Sequence, residues 1–404
     1  MIVIDVTNQQ RLTNQAIQDI AHYLIKQDIQ SLQPGLVSGL AGHILFLWYF
    51  RKVSQDAESE QALEQALDLL EKKTGMVLQD CSASYGVSGI AWLYELLLAE
   101  QDDGYTAEFN ANTDRIIQQM LSVADWPGEI EYVLGLSGVS IYARRRMAQA
   151  NKVELYATLV RHFSTLAQPV AEQQCCWPTP ADSGYRFYPQ SNEPELNLGL
   201  AHGIPSIIAA LIPACQHPIL ATEARRLVLH GCNWLLAQRQ AVAETGSYFG
   251  YLASTQRNSR LGWCYGDLAI ALTLARAGIA LDHAPFSEVA KEIALHAAGR
   301  DVASAQIRDA GLCHGSAGLM LMFSLLHRIF PEPKLLAAKL FWKNDTLTRY
   351  EQQGLEGFNA FRNTEQGAIY IPESGMLNGY AGIGLCLLAE LEIEPYWADA
   401  LLLT

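Results

Sequence analysis

Two cysteines and a histidine stand out as candidate metal ligands. Cys264 lies in the segment Trp-Cys-Tyr-Gly and Cys313 in Leu-Cys-His-Gly, so each thiol comes two residues before a glycine, and His314 directly follows the second thiol. Two thiolates and one imidazole form a ligand set that suits zinc, and three protein ligands leave a fourth coordination position open. The alternative is two buried thiols and a hydrogen-bonded histidine at helix starts.

The open fourth position distinguishes two kinds of chemistry. A bound water would make the site hydrolytic, whereas a bound substrate thiol would be deprotonated by the metal. With two thiolates already in the ligand set, a third sulfur keeps negative charge and stays nucleophilic. The ligand set therefore favours alkylation of a thiol over hydrolysis.

Two further residues could act on a bound substrate. His202, in the segment Leu-Ala-His-Gly-Ile-Pro, is a candidate acid or base, and the alternative is a histidine that caps a helix or is hydrogen-bonded in the core. Arg260, four residues before Cys264, could bind an anion or form a salt bridge within a loop. The residues alone leave both questions open.

These residues belong to a short glycine motif that recurs seven times. Its members begin at Gly39, Gly86, Gly135, Gly203, Gly266, Gly315 and Gly379. Each motif opens an apolar run that is typical of a buried helix. Between the motifs lie amphipathic segments that are typical of outward helices. They are residues 15–26, 60–72, 112–123, 152–166, 221–239, 287–298 and 334–342.

Seven helical hairpins can stack as an open solenoid or close into a ring. The apolar character of the seven glycine-preceded helices favours closure, because a solenoid leaves one face wet. We therefore predict an all-α fold, an α,α-toroid of seven inner and seven outer helices, as a single domain over residues 1–404. The residues before the glycines would then meet at one mouth, and six of the seven carry a polar group. They are Ser38, Tyr85, Leu134, His202, Tyr265, His314 and Asn378.

Three connections depart from the helical pattern. Residues 168–195 hold five prolines and a group of aromatic residues, which indicates an irregular or short β-containing insertion. Residues 241–261 and 344–375 are expected to be loops. Long loops in a compact domain are often functional, and these could cover the mouth.

Composition excludes several classes of protein. Of 404 residues, 50% are hydrophobic and only 17% charged, so much of the chain must be buried. The formal charge of -14 argues against a nucleic-acid partner. The longest apolar stretch, residues 196–215, is interrupted by His202 and two prolines, which argues against a membrane span. No secretory signal is apparent, and a cytoplasmic location is expected.

Two other groups of residues are given structural interpretations. The run Arg144, Arg145 and Arg146 is interpreted as a solvated helix end. The remaining cysteines are interpreted as buried or packing thiols rather than a disulfide framework. They are Cys81, Cys175, Cys176, Cys215, Cys232 and Cys386.

Four ordered motifs resemble those of the lanthipeptide cyclases, the LanC family. They are Leu-Asn-Leu-Gly-Leu-Ala-His-Gly-Ile-Pro at 196–205, Gly-Trp-Cys-Tyr-Gly at 262–266, Leu-Cys-His-Gly at 312–315 and Leu-Asn-Gly-Tyr-Ala-Gly-Ile-Gly at 377–384. The resemblance extends from about residue 35 to residue 388. It implies an α,α-toroid that holds Zn²⁺ through Cys264, Cys313 and His314.

The resemblance also implies a reaction. The zinc would activate a cysteine thiol of a dehydrated precursor peptide, which adds in Michael fashion to dehydroalanine or dehydrobutyrine and forms a lanthionine or methyllanthionine thioether. His202 matches the family's essential histidine, while Tyr265 and Arg260 match positions that flank the metal and are candidates for stabilising the enolate. A lanthipeptide dehydratase and an export transporter are the further partners that the resemblance suggests.

The chain departs from the family pattern at two positions. Glu131 stands where the family commonly has an aspartate before its Gly-Leu-Ser-Gly turn, so the carboxylate that would orient His202 is one methylene longer. Ser206 stands where a glycine is usual, which we expect to affect only packing.

Competing interpretations come from other classes. A non-catalytic protein of the same fold could keep the zinc and bind glutathione or another thiol. A prenyl or terpene enzyme with an α/α-barrel is a second alternative, since residues 344–348 begin like a magnesium-binding motif, but Gln352 stands where its glutamate is needed. A serine hydrolase is disfavoured because the sequence contains no Gly-x-Ser-x-Gly elbow.

Overall fold

The computed structural model describes residues 5–100, 105–191 and 193–404, and within them helices dominate. In chain order the α-helices of the described residues are α1 (Val6–Ile25), α2 (Leu40–Phe50), α3 (Ala57–Thr74), α4 (Val87–Ala99), α5 (Ala111–Leu121), α6 (Leu136–Ala150), α7 (Glu154–Leu166), α8 (Ile204–Leu211), α9 (Ala221–Ala237), α10 (Val242–Thr245), α11 (Asp267–Leu281), α12 (Ala284–Ala297), α13 (Ser316–Ile329), α14 (Pro333–Gln353) and α15 (Tyr380–Leu388).

The glycine motif begins a buried helix in all seven repeats. Helices α2, α4, α6, α8, α11, α13 and α15 each start directly after the first glycine of a motif. Every residue of α2, α8 and α15 is buried. The seven amphipathic helices that alternate with the glycine-preceded helices bury one side only, as α3 does through Leu63, Ala66 and Leu70. The predicted alternation of buried and amphipathic helices is therefore confirmed.

A close backbone approach explains why the motif needs glycine. In six repeats the N–H of the residue after the glycine donates to the carbonyl that lies six residues before that glycine, as Ile204 does to Asn197 at 3.0 Å. A Cβ atom on Gly203 would lie 2.2 Å from that same carbonyl oxygen. Any larger residue would therefore open the turn. With glycine there, each of these six helices begins directly after a tight, hydrogen-bonded loop.

Two small antiparallel hairpins accompany the helices. β1 (Gln168–Ala171) pairs with β2 (Gln174–Cys176) within the predicted insertion. β3 (Ala360–Thr364) pairs with β4 (Gly367–Ile371) over five residue pairs. The expectation of a loop over residues 344–375 is wrong, because α14 continues to Gln353 and this second hairpin follows it. Gly367, at φ 117°, allows the tight reversal between its strands.

Contacts within the chain define two compact units. The first contains residues up to Val77, Arg260–Trp263 and Ala298–Tyr396, and therefore α1–α3, α13–α15 and the second hairpin. The other contains Leu78–Ser259, Cys264–Ala297 and Trp397–Thr404, and therefore α4–α12 and the first hairpin. The single domain over residues 1–404 stays a prediction. No helix in the described ranges is both long and apolar enough to cross a membrane.

Two of the three arginines of α6, Arg145 and Arg146, are buried, which corrects the interpretation of this run as a solvated helix end. Arg146 is fully buried and forms ion pairs with Glu95, at 3.1 Å, and with Asp114. Arg145 pairs with Asp399 at 2.8 Å. The partners come from distant parts of the sequence, so the run of three arginines alone could not reveal them.

Candidate metal centre and acid–base site

The three predicted metal ligands lie together. The Sγ atoms of Cys264 and Cys313 and a ring nitrogen of His314 all lie within 4.8 Å of one another. Both thiols are 7% exposed, and His314 is half-buried. Two sulfurs bound to one tetrahedral zinc at 2.3 Å would lie about 3.8 Å apart. The separations and the donor types therefore fit a zinc ion held by three protein ligands.

Backbone hydrogen bonds bring the ligand segments side by side. The N–H of Trp263, which precedes Cys264, donates to the carbonyl of Cys313 at 2.7 Å, and the N–H of Cys313 donates to Leu377 at 2.8 Å. A Cβ atom on Gly262 would lie 2.9 Å from the Cβ of His314. The glycine at 262 thus allows two segments about fifty residues apart to pass in contact.

Asp309 anchors the turn that carries Cys313 and His314. Its carboxylate is 3% exposed and accepts the N–H of Gly311 at 3.0 Å and that of Phe361, in β3, at 2.9 Å. The ligand turn is therefore tied to the second hairpin. The residue type alone did not indicate this role, although Asp309 stands six residues before a repeat glycine, the position that Asp80 and Asn197 occupy in other repeats.

The turn that carries Cys264 and Tyr265 differs from the other six. Gly266 has φ 98° and ψ -179°, whereas the corresponding glycines have φ between -99° and -146°. That combination is essentially restricted to glycine. The fifth repeat glycine is therefore required by its own conformation, in the turn that presents a metal ligand.

His202 is held by the carboxylate of Glu131. The Nδ1 atom of His202 lies 2.9 Å from Glu131 Oε2. Glu131 is 2% exposed and also accepts the N–H groups of Val133, at 2.8 Å, and Leu134, at 2.6 Å. The longer side chain at position 131 thus reaches the histidine while its carboxylate is fixed by its own turn.

Tyr265 lies close to His202. The two ring centroids are 6.5 Å apart, and the Tyr265 hydroxyl accepts a hydrogen bond from the Asn197 side chain at 3.1 Å. A Cβ atom on Gly199 would lie 2.5 Å from the Tyr265 ring and 2.6 Å from the carbonyl of Cys264. The segment that leads to His202 is thereby packed directly against Cys264 and Tyr265. Asn197, which sequence analysis did not select, positions the tyrosine.

Arg260 is half-buried and directly precedes Leu261, whose N–H donates to Ala305 at 3.0 Å. The backbone of Arg260 belongs to the irregular segment that leads to Cys264. The assignment of its guanidinium to an anion stays a prediction.

Aromatic residues of the insertion cover the acid–base pair. The ring of Tyr185 stacks on His202 with centroids 4.1 Å apart, and Phe187 meets Tyr265 edge-on at 5.7 Å. Burial raises the pKa of Tyr185 to about 12. Burial also raises the pKa of Glu129, a second carboxyl group near Glu131 and His202. The sequence indicated that this insertion could cover the mouth, but not which of its aromatic residues contacts His202.

The cysteines outside the ligand set are buried free thiols, as expected. Burial raises the pKa of Cys81 and Cys175 to about 11 and that of Cys215 to about 12. Because thiols with such pKa values stay protonated at neutral pH, these side chains are poor metal ligands and poor nucleophiles.

The chain belongs to the lanthionine synthetase C-like family, whose model, described as "Lanthionine synthetase C-like protein", matches residues 30–402. It is similar to "Nisin biosynthesis protein NisC" of Lactococcus lactis subsp. lactis, with 25% identity over 403 residues that cover 91% of this chain and 88% of that one. A solved structure named "Nisin cyclase" matches with a TM-score of 0.72 and 20% identity over 98% of both chains. The fold class is therefore the helical toroid of this family, as predicted. The hairpin of the insertion was also expected, whereas the second small sheet was not.

Proposed function

We propose that this protein is a lanthipeptide cyclase that forms thioether rings in a dehydrated precursor peptide. The observation that carries the proposal is the convergence of Cys264, Cys313 and His314, whose ligand atoms lie within 4.8 Å of one another. The similarity to a relative named for nisin biosynthesis supports a peptide as the substrate.

The proposed reaction is an isomerisation of the peptide. The thiol of a substrate cysteine loses its proton, and its sulfur forms a C–S bond to the β carbon of dehydroalanine or dehydrobutyrine. The π electrons of the C=C bond move to the α carbon and its carbonyl as an enolate. A proton delivered to the α carbon completes lanthionine or methyllanthionine, so no oxidant or co-reactant is needed.

Zn²⁺ is the proposed cofactor, bound by Cys264, Cys313 and His314. Bound by these three residues, zinc would supply the Lewis acidity that lowers the pKa of a substrate thiol. The turns that carry these three residues determine where the ligand atoms lie. They fix the two thiols and the imidazole through the hydrogen bonds of Trp263 and Asp309.

His202 is the proposed acid and base. Glu131 accepts from or pairs with Nδ1, which leaves Nε2 as the nitrogen that exchanges a proton with the substrate. Tyr265, beside His202, and Arg260, four residues before Cys264, are proposed to stabilise the enolate oxygen as charge develops there.

The reaction also defines partners. Dehydroalanine and dehydrobutyrine must form by loss of water before this protein acts, so a dehydratase is a proposed partner. An export transporter for the cyclised peptide is the second proposed partner. Since both steps act on a peptide made in the cytoplasm, we propose a cytoplasmic location, with no nucleic-acid partner and no membrane span.

Metal analysis of purified protein tests the ligand assignment. We expect about one zinc per chain for the wild type. Cys264→Ala and Cys313→Ala should each lose the metal and keep their helical circular dichroism, because the buried helices do not depend on it. Cys81→Ala, which removes another buried thiol, is the matched control and should keep its zinc. Full zinc occupancy in both ligand variants would refute the metal site.

A further inference from the structure

A buried carboxylate fixes the path of the aromatic part of the insertion, residues 183–188, here called the aromatic loop. Glu195 is 5% exposed and accepts the N–H groups of Phe187, at 2.9 Å, and Tyr188, at 2.6 Å. Its own carbonyl accepts the N–H of Thr179 at 2.8 Å. Charge-assisted bonds to two successive N–H groups hold this loop in one conformation.

The loop places one ring directly on the proposed acid–base residue. Tyr185 stacks on His202 with centroids 4.1 Å apart and planes inclined by 24°. Phe187, two residues further along the loop, instead lies at 81° to the ring of Tyr265. The loop therefore contacts two of the residues that are proposed to act on the substrate, His202 and Tyr265, and within the loop Tyr185 is the ring that stacks on the imidazole.

The stacked ring supplies a constraint that Glu131 cannot supply. A single hydrogen bond to Nδ1 fixes one end of the imidazole but leaves the ring able to turn about the axis of that bond. A ring packed face to face resists such turning, since the imidazole would have to leave the stack. Together the carboxylate and the aromatic face determine both the position and the plane of His202.

We propose that Tyr185 is a positioning residue for His202, its ring fixing the imidazole plane so that Nε2 points toward the substrate. This inference rests on the proposed function for its kinetic consequence, but the stacking itself can be tested without turnover. Because the ring and not the hydroxyl does the positioning, phenylalanine should substitute for Tyr185, whereas alanine or leucine should not.

Steady-state cyclisation of a dehydrated cysteine-containing peptide provides the first test. Tyr185→Ala and Tyr185→Leu should lower kcat by about 2- to 10-fold, the equivalent of one aromatic pair, with KM and zinc content unchanged. Tyr185→Phe should restore the wild-type kcat. Tyr188→Ala, in the same loop, is the matched control and should behave as the wild type. A Phe variant as slow as the Ala variant would overturn the proposal, since the hydroxyl would then be the active group.

Modification by diethyl pyrocarbonate provides a test that needs no enzymatic activity. The reagent acylates accessible imidazoles, and the rate at His202 can be read by mass spectrometry of the peptide that contains it. We expect Tyr185→Ala and Tyr185→Leu to accelerate this modification, and Tyr185→Phe and Tyr188→Ala to leave it at the wild-type rate. An unchanged rate at His202 in folded Tyr185→Ala would overturn the stacking role. If the wild type holds zinc but forms no rings, the proposed function is overturned. The modification rate at His202 then still decides whether Tyr185 fixes the imidazole by stacking.

Discussion

Glu131 Oε2 lies 2.9 Å from Nδ1 of His202, although the two residues are 71 positions apart in the sequence. The same carboxylate accepts hydrogen bonds from two N–H groups of its own turn, so its orientation does not depend on the histidine. A glutamate at this position, where an aspartate is usual among lanthipeptide cyclases, thus keeps the carboxylate within hydrogen-bonding distance of the imidazole.

Glu131→Gln should slow cyclisation by about 10- to 100-fold, the equivalent of losing one charge-assisted hydrogen bond. The amide keeps one oxygen acceptor, so the turn should persist with a modest fall in the unfolding midpoint. Zinc content should not change, because Glu131 is not a ligand. Glu131→Asp is the control and should be faster than the Gln variant, since it keeps the carboxylate. Wild-type rates in Glu131→Gln with zinc retained would show that this carboxylate only caps its turn.

His202→Asn should keep its zinc and lose about 10²- to 10⁴-fold in the rate of cyclisation, as expected for a lost general acid or base. Rapid-quench kinetics with one peptide turnover would separate this chemical step from product release. His230→Asn, on α9, is the matched control and should keep the full rate. Loss of zinc from His202→Asn would mean that this histidine is a ligand and that its assigned role is wrong.

Gly266→Ala should weaken zinc binding although it replaces none of the three proposed ligands. Its φ of 98° and ψ of -179° would cost an alanine about 1 to 3 kcal/mol, and relief of that strain moves the adjacent Cys264 and Tyr265. Zinc affinity measured by competition with a chelator should fall, together with the unfolding midpoint. Gly75→Ala is the control, since a Cβ there meets no atom within 4 Å. Equal zinc affinities in the two variants would contradict this account of the turn.

Stability should fall in acid because of His43. This residue is 2% exposed, its Nδ1 has no hydrogen-bond partner among the described residues, and burial lowers its pKa from 6.5 to about 4. Between those values the unfolded chain binds a proton that the folded chain does not, so stability is lost as pH falls from about 6.5 to 4. At pH 5 the loss from this group is about 2 kcal/mol.

Urea unfolding at pH 7.5 and pH 5 can isolate that contribution. His43→Met, of similar size and without a titrating group, should show a smaller difference between the two pH values, by about 2 kcal/mol. Contributions from all other groups cancel in the comparison with the wild type. An identical pH dependence in the two proteins would refute the role of His43.

The local pattern of the sequence determined most of the fold. The seven glycine motifs predicted the seven buried helices because a close backbone approach, as at Gly203, leaves room for no other residue. The long α14 and the β3–β4 hairpin were missed, since polar residues such as Asn344 resemble a loop when their buried partners are unknown. Asn344 is in fact 6% exposed.

The candidate site was predictable only where a residue type alone indicates chemistry. Cysteine and histidine beside the glycine motifs pointed to a metal, and the structure brings those three together. Asp309, Asn197 and Tyr185 act by holding other groups, through contacts between segments distant in the sequence. The local signal for Asp309 and Asn197 is their position six residues before a repeat glycine, whereas no local pattern distinguishes Tyr185 from an ordinary loop residue.

Ring formation itself tests the central claim most directly. A synthetic peptide with one dehydroalanine and one cysteine would be incubated with zinc-loaded protein at neutral pH. Iodoacetamide would then alkylate the remaining free thiols, and mass spectrometry would measure the alkylated fraction of the peptide. We predict that the alkylatable thiol disappears with no change in peptide mass, far faster than without protein or with Cys313→Ala. A wild type that holds zinc and binds the peptide, yet leaves its thiol alkylatable at the uncatalysed rate, would contradict the cyclase assignment and support a non-catalytic thiol-binding protein.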